Sequence, residues 1–342
     1  MLNRLETIKE LFPKAQNFRL KQIECAVFDA AISGWEEVTT LPQADRQLLI
    51  EKVPWVSYRA AETFGDIEDD VIKALLTLSD DAKIETVLMR NRRGHWSVCV
   101  STQVGCAMRC VFCATGKMGL KRNLTSDEIV DQLRFWQKYL LTNLGDEERI
   151  TNVVYMGMGE PMNNYEAVKD SLNRILLNTE IGETRITVST VGVLPRLDQI
   201  LDDEDWPPVR LAISLHSAQN EVRKQLMPSS YDDFLPKLAD WARRYNQKFG
   251  NRRHHLTFEY IMLAGVNDSS QAAEALADYV LKIDNVRVNL IPYNASGADY
   301  EGSSEETLER FMSVLEQRDV TVTVRRSQGQ EIAAACGQLA GK

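Results

Sequence analysis

A chain of 342 residues, 44% hydrophobic and 26% charged, has the balance of a folded globular protein and the length for one large domain with an appendage, or for two ordinary ones. That balance excludes a disordered tail, and apolar runs that never approach roughly 18 residues exclude a membrane-spanning helix. A net charge of -9 excludes a uniformly basic surface, yet Arg90/Arg92/Arg93, Lys117/Lys121/Arg122, Arg252/Arg253 and Arg325/Arg326 form local basic groups, each either a phosphate contact or a solvated face.

Taken in chain order, "LETIKELF", "RLKQIECAVFDAAI" and "ADRQLLIEKV" carry apolar residues at helical spacing, so residues 1–75 are expected to form a small helical accessory domain. From about residue 84 short β-branched runs alternate with amphipathic segments: 96–104, 152–158, 185–191, 209–216, 256–263, 286–293 and 320–325. "TSDEIVDQLRFWQKYLL" is a helix opened by a cap at Thr125 or Ser126. The alternation predicts an α/β core over residues 76–342, with a parallel sheet of right-handed β-α-β units. Polar motifs fall where five runs end, as expected of one site at the mouth of a barrel.

The first of those motifs is "GCAMRCVFCATG". Cys106, Cys110 and Cys113 are three of only six cysteines, and the next in the chain is Cys336. In a reducing cytoplasm, the expected compartment, clustered thiols point to metal or catalysis and not to structural disulfides. Three thiolates can each hold one iron of a 4Fe-4S cube and leave the fourth iron open. A zinc site completed by a distant His, and three thiols packed as small hydrophobes, are the alternatives.

With Phe112 before its last cysteine, this spacing resembles the signature of the radical S-adenosylmethionine (SAM) superfamily. "VCVSTQVGCAMRCVFCATG", "MGMGEPMNN", "SLHSAQNEVRKQLMP", "IMLAGVNDS" and "ACGQLAG", in this order, resemble its RlmN/Cfr family of RNA adenine methyltransferases. The resemblance implies a partial (β/α)6 radical SAM barrel, a 4Fe-4S cluster on Cys106, Cys110 and Cys113, and two SAM molecules per turnover. It further implies methylation of carbon 2 of an adenosine in 23S rRNA, with tRNA a second substrate for some relatives, and carbon 8 as the Cfr-type alternative.

By the same resemblance, Cys336 accepts a methyl group from one SAM, and a 5'-deoxyadenosyl radical made from the second abstracts hydrogen from that S-methyl. The methylene radical then joins the adenine, and Cys99 releases the adduct by forming a transient disulfide with Cys336. Glu85 matches the residue that takes the adduct's proton. Gly159 and Glu160 match contacts to the SAM amino group, while Ser189, Ser214, Leu215, His216 and Asn294 match further SAM contacts. A reducing donor such as flavodoxin and a monomeric enzyme are expected.

Read without the resemblance, Cys336 and His216 are ordinary core residues, Cys99 on its alternating strand is as readily core as functional, and Cys25 in "QIECAVF" keeps the core reading. "GMGEP" is not a dinucleotide fingerprint, because Met162 stands where its third glycine belongs. The rival from another class is a non-catalytic iron-sulfur protein that binds RNA or carries electrons. An electron carrier would close its cluster with a fourth cysteine, and only Cys25, Cys99 and Cys336 remain for that role.

Overall fold

The computed structural model describes residues 4–13, 17–251, 254–326 and 328–341, so the Arg252/Arg253 group lies outside the described residues. The chain opens with α1 (Arg4–Leu11), α2 (Asn17–Phe28) and α3 (Gln43–Lys52). Their buried residues Ile8, Ile23, Val27 and Leu49 merge into the main hydrophobic core. Cys25 departs from its expected core position: α2 buries Ile23, Glu24, Val27 and Phe28, which turns the thiol outward.

The strands begin earlier than the sequence suggests. β1 (Tyr58–Phe64), β2 (Val71–Leu78) and β3 (Lys83–Arg90) form an antiparallel meander that continues into β4 (Trp96–Cys99). A boundary at residue 75 therefore falls inside β2. The reason is legible in "VIKALLTL": a short run that is apolar at nearly every position has no period to separate helix from buried strand, and pairing on both edges decides the matter.

Beyond β4 the sheet is parallel through β7 (Ile150–Tyr155), β8 (Ile186–Thr190), β9 (Arg210–Ser214), β10 (Leu256–Met262), β11 (Val286–Pro292) and β12 (Val322–Val324). These strands match the expected runs. Helices α5 (Ser126–Leu144), α6 (Tyr165–Asn178), α7 (Leu194–Asp202), α9 (Phe234–Phe249), α10 (Ser270–Val280) and α11 (Glu305–Gln317) make the crossovers, with the short α8 (Asn220–Leu226) preceding α9. Thr125 and Glu128 form the capping box that starts α5. β1 and β12 end the sheet without pairing to each other among the described residues, so the barrel is incomplete. The expected 96–104 strand also divides: β5 (Gln103–Gly105) leaves the main sheet to pair with β6 (Leu120–Asn123), and this ribbon brackets the cysteine loop. No helix among the described residues is long and apolar enough to cross a membrane.

Candidate active site

The cysteine loop is closed by the β5–β6 ribbon. Gly105 has φ +78°, and a Cβ there would lie 1.8 Å from the carbonyl oxygen of Gly119, so only glycine lets the ribbon close. The Cys106 N–H donates to that same oxygen at 3.1 Å, and the Cys113 N–H donates to Cys110 O at 3.1 Å. Val111 N–H donates to Leu226 O at 3.1 Å, at the end of α8, and Ser296 Oγ donates to Phe112 O at 2.7 Å. The loop then runs into α4 (Ala114–Met118). Cys106, Cys110 and Cys113 line one cavity. Burial pushes all three thiols up, Cys106 to about 12, so a positively charged group sharing that cavity would favour their thiolates.

After β7, residues 157–160 are sewn to the chain segment that precedes the cysteine loop. Thr102 N–H donates to Met158 O at 2.8 Å, and Glu160 N–H donates to Gln103 Oε1 at 2.9 Å. Gly159 has φ +109°, and a Cβ there would strike Gln103 at 2.6 Å. The buried Glu160 carboxylate accepts from Met162 N–H at 2.9 Å and from Val191 N–H at 2.8 Å. Burial lifts it to about 6, which the Thr190 hydroxyl and the two N–H donors only partly offset.

Gly159, Glu160, Ser189, Ser214 and His216 line the same cavity as the three thiols. His216 is neutral, pushed down to about 3 by burial and by nearby Arg223. Its Nδ1 accepts from Ile261 N–H at 3.0 Å, and its ring packs edge-on against Phe112 with centroids 4.8 Å apart. Leu215 and Asn294 do not line the cavity: Leu215 is fully buried, with its N–H on Glu259 O at 3.0 Å, and Asn294 Nδ2 donates to Cys336 O at 3.2 Å.

That bond helps to bring the C-terminal segment to the site. Ala114 N–H donates to Gly337 O at 2.7 Å, and Thr115 Oγ1 donates to Leu339 O at 2.6 Å. Cys336 consequently lines the thiol cavity and also a second, adjoining one, together with Met156 and Arg325. Cys99 lines the second cavity only, its thiol pushed up to about 12 by burial and by the nearby Cys336. Glu85 lines neither. It pairs with buried Lys73 at 2.9 Å and accepts N–H bonds from Ala340 at 2.6 Å and Gly341 at 3.1 Å. The registers that put Cys99 opposite Val87 and Lys73 also opposite Val87 set Glu85, Cys99 and Lys73 on one face of the sheet.

Two residues escaped the sequence reading. Glu259, mid-strand in "LTFEYIML", faces the thiol cavity; its Oε1 accepts from Asn289 Nδ2 at 3.0 Å, while its buried Oε2 has no partner among the described residues. A carboxylate flanked by apolar strand residues was the available signal. Arg325, read only as part of a basic pair, stands beside Cys336, Glu259 and Cys99, and its Nη1 reaches Met156 Sδ at 2.8 Å. The negative forms of those groups, Cys336 foremost, raise its guanidinium.

Among the described residues, no three His, Cys, Asp or Glu side chains gather closely enough to hold a single metal ion. The three loop thiols, lining one cavity with Cys336 and the unpartnered Oε2 of Glu259, can supply soft ligands to three irons of an iron-sulfur cluster.

Comparison with known proteins agrees. Residues 100–277 match the Radical SAM superfamily. A probable dual-specificity RNA methyltransferase RlmN of Salinibacter ruber is 39% identical over 344 residues, covering 96% of this chain and 89% of its own. The dual-specificity RNA methyltransferase RlmN of Desulfotalea psychrophila is 38% identical over 330 residues, covering 94% and 89%. The crystal structure of a radical SAM methyltransferase from Sphaerobacter thermophilus superposes with a TM-score of 0.91 at 35% identity, over 100% of this chain and 98% of that one. The incomplete barrel, the three-thiol cavity and identities of this extent show that the chain belongs to the RlmN family of radical SAM enzymes.

Proposed function

We propose that this radical SAM RNA methyltransferase acts on carbon 2 of an adenosine in 23S rRNA, and on the adenosine beside the tRNA anticodon, through the two cysteines of adjoining cavities. The observation that carries the reading is that Cys336 lines both the thiol cavity and the cavity of Cys99. A residue so placed can take a methyl group on one side and meet a base on the other.

Cys106, Cys110 and Cys113 would hold the 4Fe-4S cluster, which when bound supplies the electron for reductive cleavage of SAM. Gly159, Glu160, Ser189, Ser214 and His216 would hold SAM against it, with the Glu160 carboxylate suited to an ammonium group. Cys336, with the Arg325 guanidinium beside it, attacks the methyl group of a SAM molecule, giving up its proton and releasing S-adenosylhomocysteine. Once the methylene carbon of Cys336 is bonded to adenine and the adduct has given up one electron, the ring proton goes to a base; the resemblance assigns that role to Glu85, which shares a sheet face with Cys99 but is held by Lys73, Ala340 and Gly341 and lines neither cavity. Cys99 then attacks the Cys336 sulfur, forming a disulfide and breaking the sulfur–methylene bond; the methylene carbon keeps that electron pair and takes a proton, so the base leaves methylated, and the cell's thiol pool returns both cysteines to thiols. Because the adenine has to reach Cys336 in a recess, it is flipped from its stack before reaction.

The deciding experiment is anaerobic: reconstituted protein, SAM, a reductant and protein-free ribosomal RNA, followed by mass spectrometry of the nucleosides. Formation of 2-methyladenosine is expected. Formation of 8-methyladenosine would overturn the carbon-2 assignment, and 5'-deoxyadenosine without any methylated adenosine would overturn the substrate.

A further inference from the structure

Resting on the RNA methyltransferase reading above, we infer that the β3–β4 hairpin is the RNA backbone clamp of this enzyme, with Arg92 and Arg93 at its tip holding phosphates beside the base that enters the Cys99–Cys336 cavity.

A chain of net charge -9 repels RNA at long range, so binding depends on local cations free to meet phosphate. Several basic groups near the site already form ion pairs with carboxylates, though Arg109, Lys117 and Arg325 do not among the described residues. Arg122 forms ion pairs with Asp80 at 2.7 Å and Glu128 at 2.8 Å, Arg326 pairs with Glu305, and Arg90 pairs with Glu148 at 3.3 Å. Arg92 and Arg93 are exposed and have no carboxylate partner among the described residues. Lys121 is likewise unpaired, but it sits on β6 and not on an element whose base lines the Cys99–Cys336 cavity.

The hairpin has the two properties a clamp needs, position and preorganisation. Met89, Arg90 and Asn91, just before the tip, line the cavity that holds Cys99 and Cys336, so the turn that carries the arginines adjoins its wall. The turn is fixed by its own hydrogen bonds. Asn91 N–H donates to His95 O at 2.9 Å, Gly94 N–H donates to Asn91 O at 2.8 Å, and Asn91 Oδ1 accepts from Arg93 N–H at 2.9 Å and His95 N–H at 3.2 Å. Its base is anchored by the Arg90 guanidinium over the buried Trp96 ring, 5.4 Å from the centroid. A turn fixed in this way spares the cost of ordering the backbone on binding.

The test is fluorescence anisotropy of an RNA stem-loop carrying the target adenosine, titrated with full-length reconstituted enzyme at several KCl concentrations. Arg92→Ala/Arg93→Ala should bind roughly 10- to 30-fold more weakly near 0.1 M salt, with a log–log salt slope shallower by about 1.4, the loss of two single-strand phosphate contacts. Arg92→Lys/Arg93→Lys should keep most of the slope, since charge carries the contact. An unchanged slope and affinity in the alanine variant, alongside a wild-type enzyme that binds and methylates the RNA, would overturn this inference alone. A wild-type enzyme that neither binds nor methylates RNA would overturn the RNA reading and the clamp with it.

Discussion

Glu85 Oε2 accepts the backbone N–H of Ala340 at 2.6 Å, so a strand ahead of the cysteine loop holds the segment that carries Cys336. The same carboxylate pairs with Lys73, whose side chain is 8% exposed against 2% for Glu85. Glu85→Gln should therefore leave Lys73 buried without a counter-charge and cost about 3–5 kcal/mol of stability. Urea denaturation would show it, and a loss below about 1 kcal/mol would mean that Lys73 escapes to solvent.

Cys99→Ala should trap the enzyme covalently on RNA, whereas Cys336→Ala should form neither adduct nor product. Denaturing gels of labelled RNA distinguish the two. Free RNA product from Cys99→Ala at the wild-type rate would remove Cys99 from the reaction.

The buried Cys99 thiol, pushed up to about 12, is almost wholly protonated at neutral pH. Release of a preformed adduct should consequently accelerate about tenfold per pH unit between pH 7 and 9, following the thiolate fraction. A pH-independent decay in single-turnover experiments would exclude attack by free Cys99 thiolate as the limiting event.

Cys110→Ala should lose most of the bound iron and sulfide and all 5'-deoxyadenosine formation, because no other thiol lines the cavity except Cys336. Iron analysis and the visible absorption band after anaerobic reconstitution provide the check.

The N-terminal helices are docked by buried charge. Arg4 Nη2 lies 2.6 Å from Asp131 Oδ2, Arg134 pairs with the same carboxylate, and Arg174 joins Glu24 at 3.0 Å to Asp127 at 3.0 Å. Burial alone would push the Asp131 carboxyl up, but Arg4 and Arg134 outweigh it and hold it below the usual carboxylate range. A carboxyl depressed on folding contributes stability that is present above its unfolded value near pH ~4 and is lost as pH falls through the folded value. Arg4→Ala should cost about 3–5 kcal/mol at neutral pH, and the gap to wild type should narrow only below about pH 4. Denaturation curves across that range would reveal it; a gap independent of pH would indicate lost packing and not lost charge.

Sequence alone was enough for the parallel strands, the α5 cap and the family, because each of these is written in local spacing: alternation for strands, a capping box for a helix, and C-x3-C-x2-C with the motifs that follow it for the family. It did not reveal the antiparallel meander, since "VIKALLTL" is apolar in either conformation and only its neighbours in the sheet make it a strand. Nor did it reveal Glu259, Arg325 or the Lys73–Glu85 pair as parts of one neighbourhood. Those residues meet groups outside the reach of local spacing, and only the sheet and the return of the C-terminal segment bring Glu85 to Ala340 and Cys336 to the wall between two cavities. The chemistry of each side chain is a local property, while which charges and thiols share a space that excludes water is decided by packing.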